Sequence, residues 1–148
     1  MTVRIQFHMT EIWPATASLR PVLEKGAATA LETADRPVSG EIEVSFVAED
    51  VIRELNRRYL NQSGSTDVIA FDLGDGAELI GDVYIAPEVA ARNAEELGIP
   101  EAEELIRLVI HGVLHLLGHD HPEGETRLAS PMFRLQEELV QRLTGAVP

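Results

Sequence analysis

The run from Leu105 to Leu117 constrains this fold more than any other segment. Arg107 is its only charged residue, and no proline interrupts it. A helix that is apolar on nearly every side must be buried on every side, because it offers no polar face to solvent. We therefore predict a helix that passes through the core, with the remaining elements packed around it.

Alternation of apolar and polar residues predicts four strands around this helix. The segments 3–7 and 42–46 each place apolar side chains on one face. The segments 68–71 and 79–85 predict two more strands, joined as a hairpin through the glycine-containing turn at 74–76. The prediction is an α/β (α+β) fold with one mixed, four-stranded sheet and surrounding helices, whose strand order the sequence leaves open.

Apolar residues at helical spacing predict the other helices, at 19–31, 49–60, 87–97 and after 130. In the second of these, Val51, Ile52 and Leu55 are the expected buried positions. With 148 residues, the chain is long enough to bury most of its apolar surface as a single domain, residues 1–148.

Glycine, proline and serine mark the predicted helix ends. Gly98 should close the helix at 87–97, and Pro100 should take the first position of the core helix. Ser130 should cap the last helix, with Pro131 in its first turn.

Three histidines lie at and beyond the end of the core helix. His111 and His115 share a helix face, because residues four apart are neighbours. Gly118 can adopt the left-handed conformation that ends helices, so His121 can fold back as a third ligand. Three protein ligands leave one position of a tetrahedral zinc ion for water, whose pKa then falls to about 7. The spacing therefore predicts a hydrolytic Zn²⁺ site.

Gly112 separates this segment from the long-motif zinc proteases, which carry a glutamate general base directly after the first histidine. A zinc peptidase would here need a base from Asp120, His119 or Glu88. A structural zinc would need a fourth ligand, for which His119 and Asp120 are the nearest candidates. Asp120 could also be the base of a hydrolase, an acceptor that orients a metal-bound imidazole, or a simple turn residue.

The segment 111–121 resembles the signature of the YbeY family, the bacterial rRNA-maturation endoribonucleases, which reads His-Gly-x-Leu-His-Leu-x-Gly-aromatic-Asp-His. Only the aromatic position, occupied by His119, departs from it. Blocks at 55–71 and 81–88 fit the same family in the same order, so the resemblance begins at about Glu41. The matching signature residues are His111, Gly112, Leu114, His115, Leu116, Gly118, Asp120 and His121.

The resemblance implies a metal-dependent, single-strand-specific endoribonuclease in maturation of small-subunit (16S) rRNA and in ribosome quality control. Implied partners are single-stranded rRNA, the small ribosomal subunit, and a ribosomal protein or assembly GTPase. In the block that corresponds to 55–71, the family commonly has an RNA-contacting arginine directly after a tyrosine. In this chain Leu60 follows Tyr59 instead. Arg57 and Arg58 are the candidates to supply that guanidinium, and Asp120 is the candidate base.

The charge of the chain opposes RNA binding. Twelve Lys and Arg against 25 Asp and Glu give a net charge of −13, which repels polyanions overall. Arginines at 53, 57 and 58 together with a divalent metal can still hold phosphates locally. The acidity also suits an alternative function, that of a non-catalytic ribosome-assembly factor with structural zinc. This function and the zinc peptidase are the two alternatives to the endoribonuclease.

Composition and termini predict a cytoplasmic protein. The chain has no cysteine, which excludes disulfides and Cys-ligated zinc. Residues 1–8 alternate in polarity and lack the continuous apolar core of a signal peptide. No stretch approaches the ~20 apolar residues that span a bilayer, so we expect no membrane partner.

Overall fold

Four strands and five helices make up the chain in the computed structural model, which describes residues 2–8, 18–75, 77–119 and 130–145. The predicted bounds at 49–60, 79–85 and 87–97 are confirmed. In chain order the elements are β1 (Thr2–His8), α1 (Arg20–Leu31), β2 (Ser39–Phe46), α2 (Glu49–Leu60), β3 (Val68–Asp72), β4 (Leu79–Ile85), α3 (Pro87–Leu97), α4 (Glu101–Leu116) and α5 (Pro131–Thr144).

The strands form one mixed sheet in the order β1-β2-β4-β3. β1, β2 and β4 run parallel, whereas β3 is antiparallel to β4. This confirms the mixed, four-stranded sheet and the pairing of the predicted hairpin strands. β2 pairs with β4 rather than with β3, and the crossover connection that a parallel pair requires runs through α2 and β3.

Helix α4 is the core helix that the sequence predicts. It packs against α1, α3, α5 and the strands β3 and β4. Full burial of a large apolar side chain contributes about 1.5–3 kcal/mol, so this helix anchors the fold and holds its histidines on a rigid support. Its fully buried side chains are Leu105, Ile106, Val109, Ile110, Val113 and Leu114.

The helix ends agree with the sequence except at Pro100. Ser130 Oγ accepts a hydrogen bond from the Phe133 N–H at 3.1 Å, as a cap should. Gly98 ends α3 with φ 68°. Pro100, expected as a first helical residue, is instead the N-cap with ψ 143°. Its carbonyl accepts from Glu103 and Glu104, so the helix starts one residue later.

Helix α2 lies on the opposite face of the sheet from α4. Adjacent strand residues point to opposite faces, and on β3 Ala70 packs with the core around α4, whereas Ile69 packs with Ile52 of α2. Val51, predicted to be buried, is 44% exposed. Ile52 is fully buried, as predicted, and Leu55 is half-buried. The other buried residue of α2 is the polar Asn56, whose Nδ2 donates to the Gly64 carbonyl at 3.2 Å and holds the following loop.

None of the described helices is both long enough and apolar enough to cross a bilayer.

Candidate metal centre

The end of α4 carries two of the three predicted ligands. His111 is half-buried and His115 is exposed, one turn apart on the same side of the helix. Gly118 has φ 97°. Its N–H donates to the His115 carbonyl at 3.0 Å, and the His119 N–H donates to the Leu114 carbonyl at 3.1 Å. These two bonds form a Schellman motif, which ends the helix where the sequence predicts.

The other predicted members of the site, His121 and Asp120, lie outside the described residues. Within 2–8, 18–75, 77–119 and 130–145, no three His, Cys, Asp or Glu side chains come together as a metal site. His111, His115 and His121 as ligands and Asp120 as base therefore stay predictions, of which the structure positions the helical pair.

The chemistry of that pair fits a transition-metal ion. His111 Nδ1 lies 2.7 Å from Gln136 Oε1 on α5. A neutral imidazole that donates its Nδ1 proton carries its lone pair on Nε2, the form in which histidine commonly binds zinc. His115, four residues along the same helix, can present a second ring nitrogen on the same side.

Two glycines allow α4 and β4 to approach closely beside the site, each lying against a side chain of the other element. A Cβ atom on Gly112 would lie 2.6 Å from Val83 Cγ1, and one on Gly81 would lie 2.6 Å from Leu116 Cδ1. Both distances are far below van der Waals contact, so neither position accepts a side chain without rearrangement. This contact explains why no glutamate base follows His111 here.

A charged cluster lies behind His111 and was not predicted from the sequence. Arg107 donates to Glu137 at 2.8 and 2.9 Å, to Glu104 at 2.8 Å and to Glu103 at 3.1 Å. Burial raises the pKa of Glu137, but hydrogen bonds from Arg107 and Gln136 outweigh that effect and hold it below its usual value. Burial raises the pKa of Glu104. Spacings of three and four residues could have revealed the contacts to Glu103 and Glu104.

The predicted catalytic arginines lie on α2, across the sheet from α4. Arg57 donates to Glu54 at 3.1 and 2.6 Å, and Arg58 donates to the same carboxylate at 3.4 Å. Their charge is therefore partly neutralised. The structure groups these arginines with Glu54 rather than with His111 or His115, and their role in catalysis stays a prediction.

The third arginine of the predicted cluster, Arg53, is also paired. Glu49 accepts from Arg92 at 2.9 and 2.7 Å and lies 3.7 Å from Arg53. The hydrogen bond from Arg92 lowers the pKa of Glu49 to about 2, so this carboxylate stays ionised. The positive patch that the sequence suggests is in fact a row of ion pairs.

A cavity of about 200 Å³ opens at the C-terminal end of α4. Leu117, Gly118 and His119 form one side, and Arg36 with its neighbours in the loop between α1 and β2 forms the other. The cavity lies directly beyond the helical turn that carries His115.

The two upstream sequence blocks have structural roles in this fold. Asp67 accepts from Asn93 Nδ2 at 3.2 Å, and its carbonyl accepts from the Ala86 N–H at 3.0 Å. Glu88 accepts from the Glu49 N–H at 3.4 Å and so links α3 to the start of α2. These contacts fix the edge strand β3 and the helix after β4.

Comparison with known proteins gives one consistent result. The family model described as Endoribonuclease YbeY matches residues 5–144. A protein of that name from Persephonella marina is 39% identical over 108 residues, covering 70% of each chain. Another, from Syntrophotalea carbinolica, is 38% identical over 127 residues, covering 82% of this chain and 84% of the relative. The solution structure of a Thermotoga maritima protein matches with TM-score 0.62 and 30% identity, covering 97% of this chain and 90% of the other.

Proposed function

Because this chain belongs to the YbeY family of endoribonucleases, we propose that it cuts single-stranded RNA in the maturation of small-subunit (16S) rRNA. The chain is an endoribonuclease and so a hydrolase. The observation that carries the proposal is the extent of the family match, which runs over residues 5–144 and includes the whole histidine helix.

Metal dependence is general in this family. For this chain we propose Zn²⁺, held by His111, His115 and His121, since imidazole suits zinc and a three-histidine set leaves one position open. A bound zinc ion supplies Lewis-acid polarisation of a phosphoryl oxygen and lowers the pKa of a coordinated water. Asp120 is the proposed proton acceptor, and the rigid α4 holds the two helical ligands one turn apart on the same side of the helix.

The substrate is RNA, and the remaining partners belong to the proposal. We propose the small ribosomal subunit with a ribosomal protein or an assembly GTPase as the docking partner, and the cytoplasm as the compartment. The net charge of −13 supports such docking, because a chain that repels polyanions overall gains from a protein surface that holds it near the RNA.

Neither alternative function is favoured. A zinc peptidase does not agree with relatives that are named as endoribonucleases, and of its candidate bases Glu88 is hydrogen-bonded to the Glu49 N–H. A non-catalytic assembly factor does not agree with relatives that are named as endoribonucleases.

Substrate choice is the direct test of this function. The purified protein should cut a single-stranded RNA that carries the 3′ end of small-subunit rRNA, and it should leave unfolded casein intact. RNA fragments are resolved on denaturing gels, with and without a chelator. Cleavage that survives the chelator would indicate a contaminating nuclease, and chelator-sensitive cleavage of casein would favour the peptidase.

A further inference from the structure

The imidazole of His111 is held from a second helix by a chain of three polar residues. His111 Nδ1 contacts Gln136 Oε1 at 2.7 Å, and Gln136 Nε2 donates to Glu137 Oε2 at 3.1 Å. Glu137 in turn accepts from Arg107 at 2.8 and 2.9 Å. Gln136 is only 5% exposed, so water does not replace these contacts readily.

The direction of each hydrogen bond in this chain follows from the arginine. Arg107 can only donate, and both carboxylate oxygens of Glu137 accept from it, as they do in the ionised form. An ionised carboxylate cannot donate, so the amide NH₂ of Gln136 must face Glu137. The amide oxygen of Gln136 then faces His111, and an oxygen of this kind can only accept. His111 must therefore carry its proton on Nδ1.

We propose that Gln136 is a positioning residue that fixes the Nδ1-protonated tautomer of His111 and so presents the Nε2 lone pair to the metal. The inference rests on the metal site of the proposed function. Partners of this kind orient metal-bound histidines, and their loss costs about 10–100-fold in metal affinity. Nothing in the sequence near the histidines indicates this partner, which lies on α5.

The test compares metal affinity in matched variants. Gln136→Leu removes the acceptor at similar size, Gln136→Glu keeps an acceptor oxygen, and Gln141→Leu makes the same change at an exposed position of α5. Competition with a chromophoric chelator for zinc should show about 10–100-fold weaker binding for Gln136→Leu. Gln136→Glu should recover only part of that loss, because its carboxylate accepts from His111 but is repelled by the ionised Glu137, and Gln141→Leu should bind like the parent.

The tautomer itself is a second measurement, made on the metal-free protein. Long-range ¹H–¹⁵N correlation spectra, assigned with a His111→Ala variant, should show only the Nδ1-protonated ring in the parent and a tautomer mixture in Gln136→Leu. A parent ring protonated on Nε2 would overturn the proposal even if Gln136→Leu failed to fold. Unchanged zinc affinity in Gln136→Leu would overturn it as well. Neither measurement uses RNA, so failure of this proposal can be distinguished from failure of the proposed nuclease function.

A separate observation concerns Arg36, which is exposed and lines the cavity beside Gly118 and His119. In the part of the chain that the structure describes, no carboxylate lies at ion-pair distance from it, in contrast to Arg57 and Arg58, which share Glu54. A guanidinium without a carboxylate partner can bind an RNA phosphate without first breaking an ion pair. We infer that Arg36 supplies the phosphate contact that Leu60 does not.

Alanine substitutions separate this inference from the arginines on α2. Binding of a single-stranded RNA of the 16S 3′ sequence is measured by fluorescence anisotropy over a series of salt concentrations. Arg36→Ala should weaken binding at low salt and reduce the slope of log affinity against log salt by about 0.7. Arg57→Ala and Arg58→Ala should change the slope less. If Arg57→Ala or Arg58→Ala reduced the slope more than Arg36→Ala does, the inference would be overturned and the contact would be assigned to α2.

Discussion

Alanine in place of His115 should abolish RNA cleavage and lower bound zinc together. A lost Lewis acid removes several kcal/mol of transition-state stabilisation, and about 1.4 kcal/mol corresponds to a tenfold change in rate, so we expect at least about a 100-fold loss. Thermal stability should fall as well, because a metal that binds only the native state stabilises it. Elemental analysis and the RNA gel assay measure the two effects.

His8 provides the control for this variant. It is also exposed, lies in β1 on the edge of the sheet, and contacts Glu43 at 3.3 Å. His8→Ala should keep both zinc and activity. If a triple alanine variant at His111, His115 and His121 retained its zinc, the assignment of the ligands would be wrong.

A methyl group at Gly112 should destabilise the protein markedly. Its Cβ would lie 2.6 Å from Val83 Cγ1, and overpacking of a tight core costs about 1–3 kcal/mol. Gly112→Glu should cost more and should create no peptidase activity, because the new carboxylate would be forced against the sheet. Urea denaturation gives the free energy of unfolding.

Gly26 in α1 is the matched control for that substitution. A Cβ there would lie 3.6 Å from Leu143 Cδ1, which is an ordinary contact. Gly26→Ala should leave stability unchanged or raise it by up to about 1 kcal/mol, since alanine is the better helix former. Equal stability of the two alanine variants would show that α4 and β4 do not touch at Gly112.

The helices and strands of this fold depend on patterns within short segments of the chain, so the sequence predicts them well. The bounds of α2 and α3 follow from apolar spacing and from Gly98. Strand order is not local: β2 and β4 become neighbours across two intervening elements, and nothing in either strand specifies that partner. Asn56 shows a second limit, because a polar residue becomes buried when a loop carbonyl satisfies its amide.

The candidate site divides in the same way. The four-residue spacing of His111 and His115 defines a common helix face, which the structure shows. Gln136 lies 25 residues beyond His111 and resembles a surface residue of an amphipathic helix. Its burial arises only when α5 packs against α4. Glu54 could have been recognised, because its spacing to Arg57 and Arg58 is that of helical ion pairs.

Gln136 lies in the last helix, so it is synthesised after the histidine that it contacts. His111 and His115 emerge from the ribosome before α5, so the nascent chain holds both imidazoles while the acceptor for His111 is still missing. Domains fold largely as units during translation, at about 5–20 residues per second. We therefore expect a delay of about a second or more between the synthesis of α4 and the ordering of the His111 imidazole by Gln136. During that interval His111, a proposed ligand, would lack its acceptor, so we expect the proposed zinc site to bind its ion more weakly than in the finished chain.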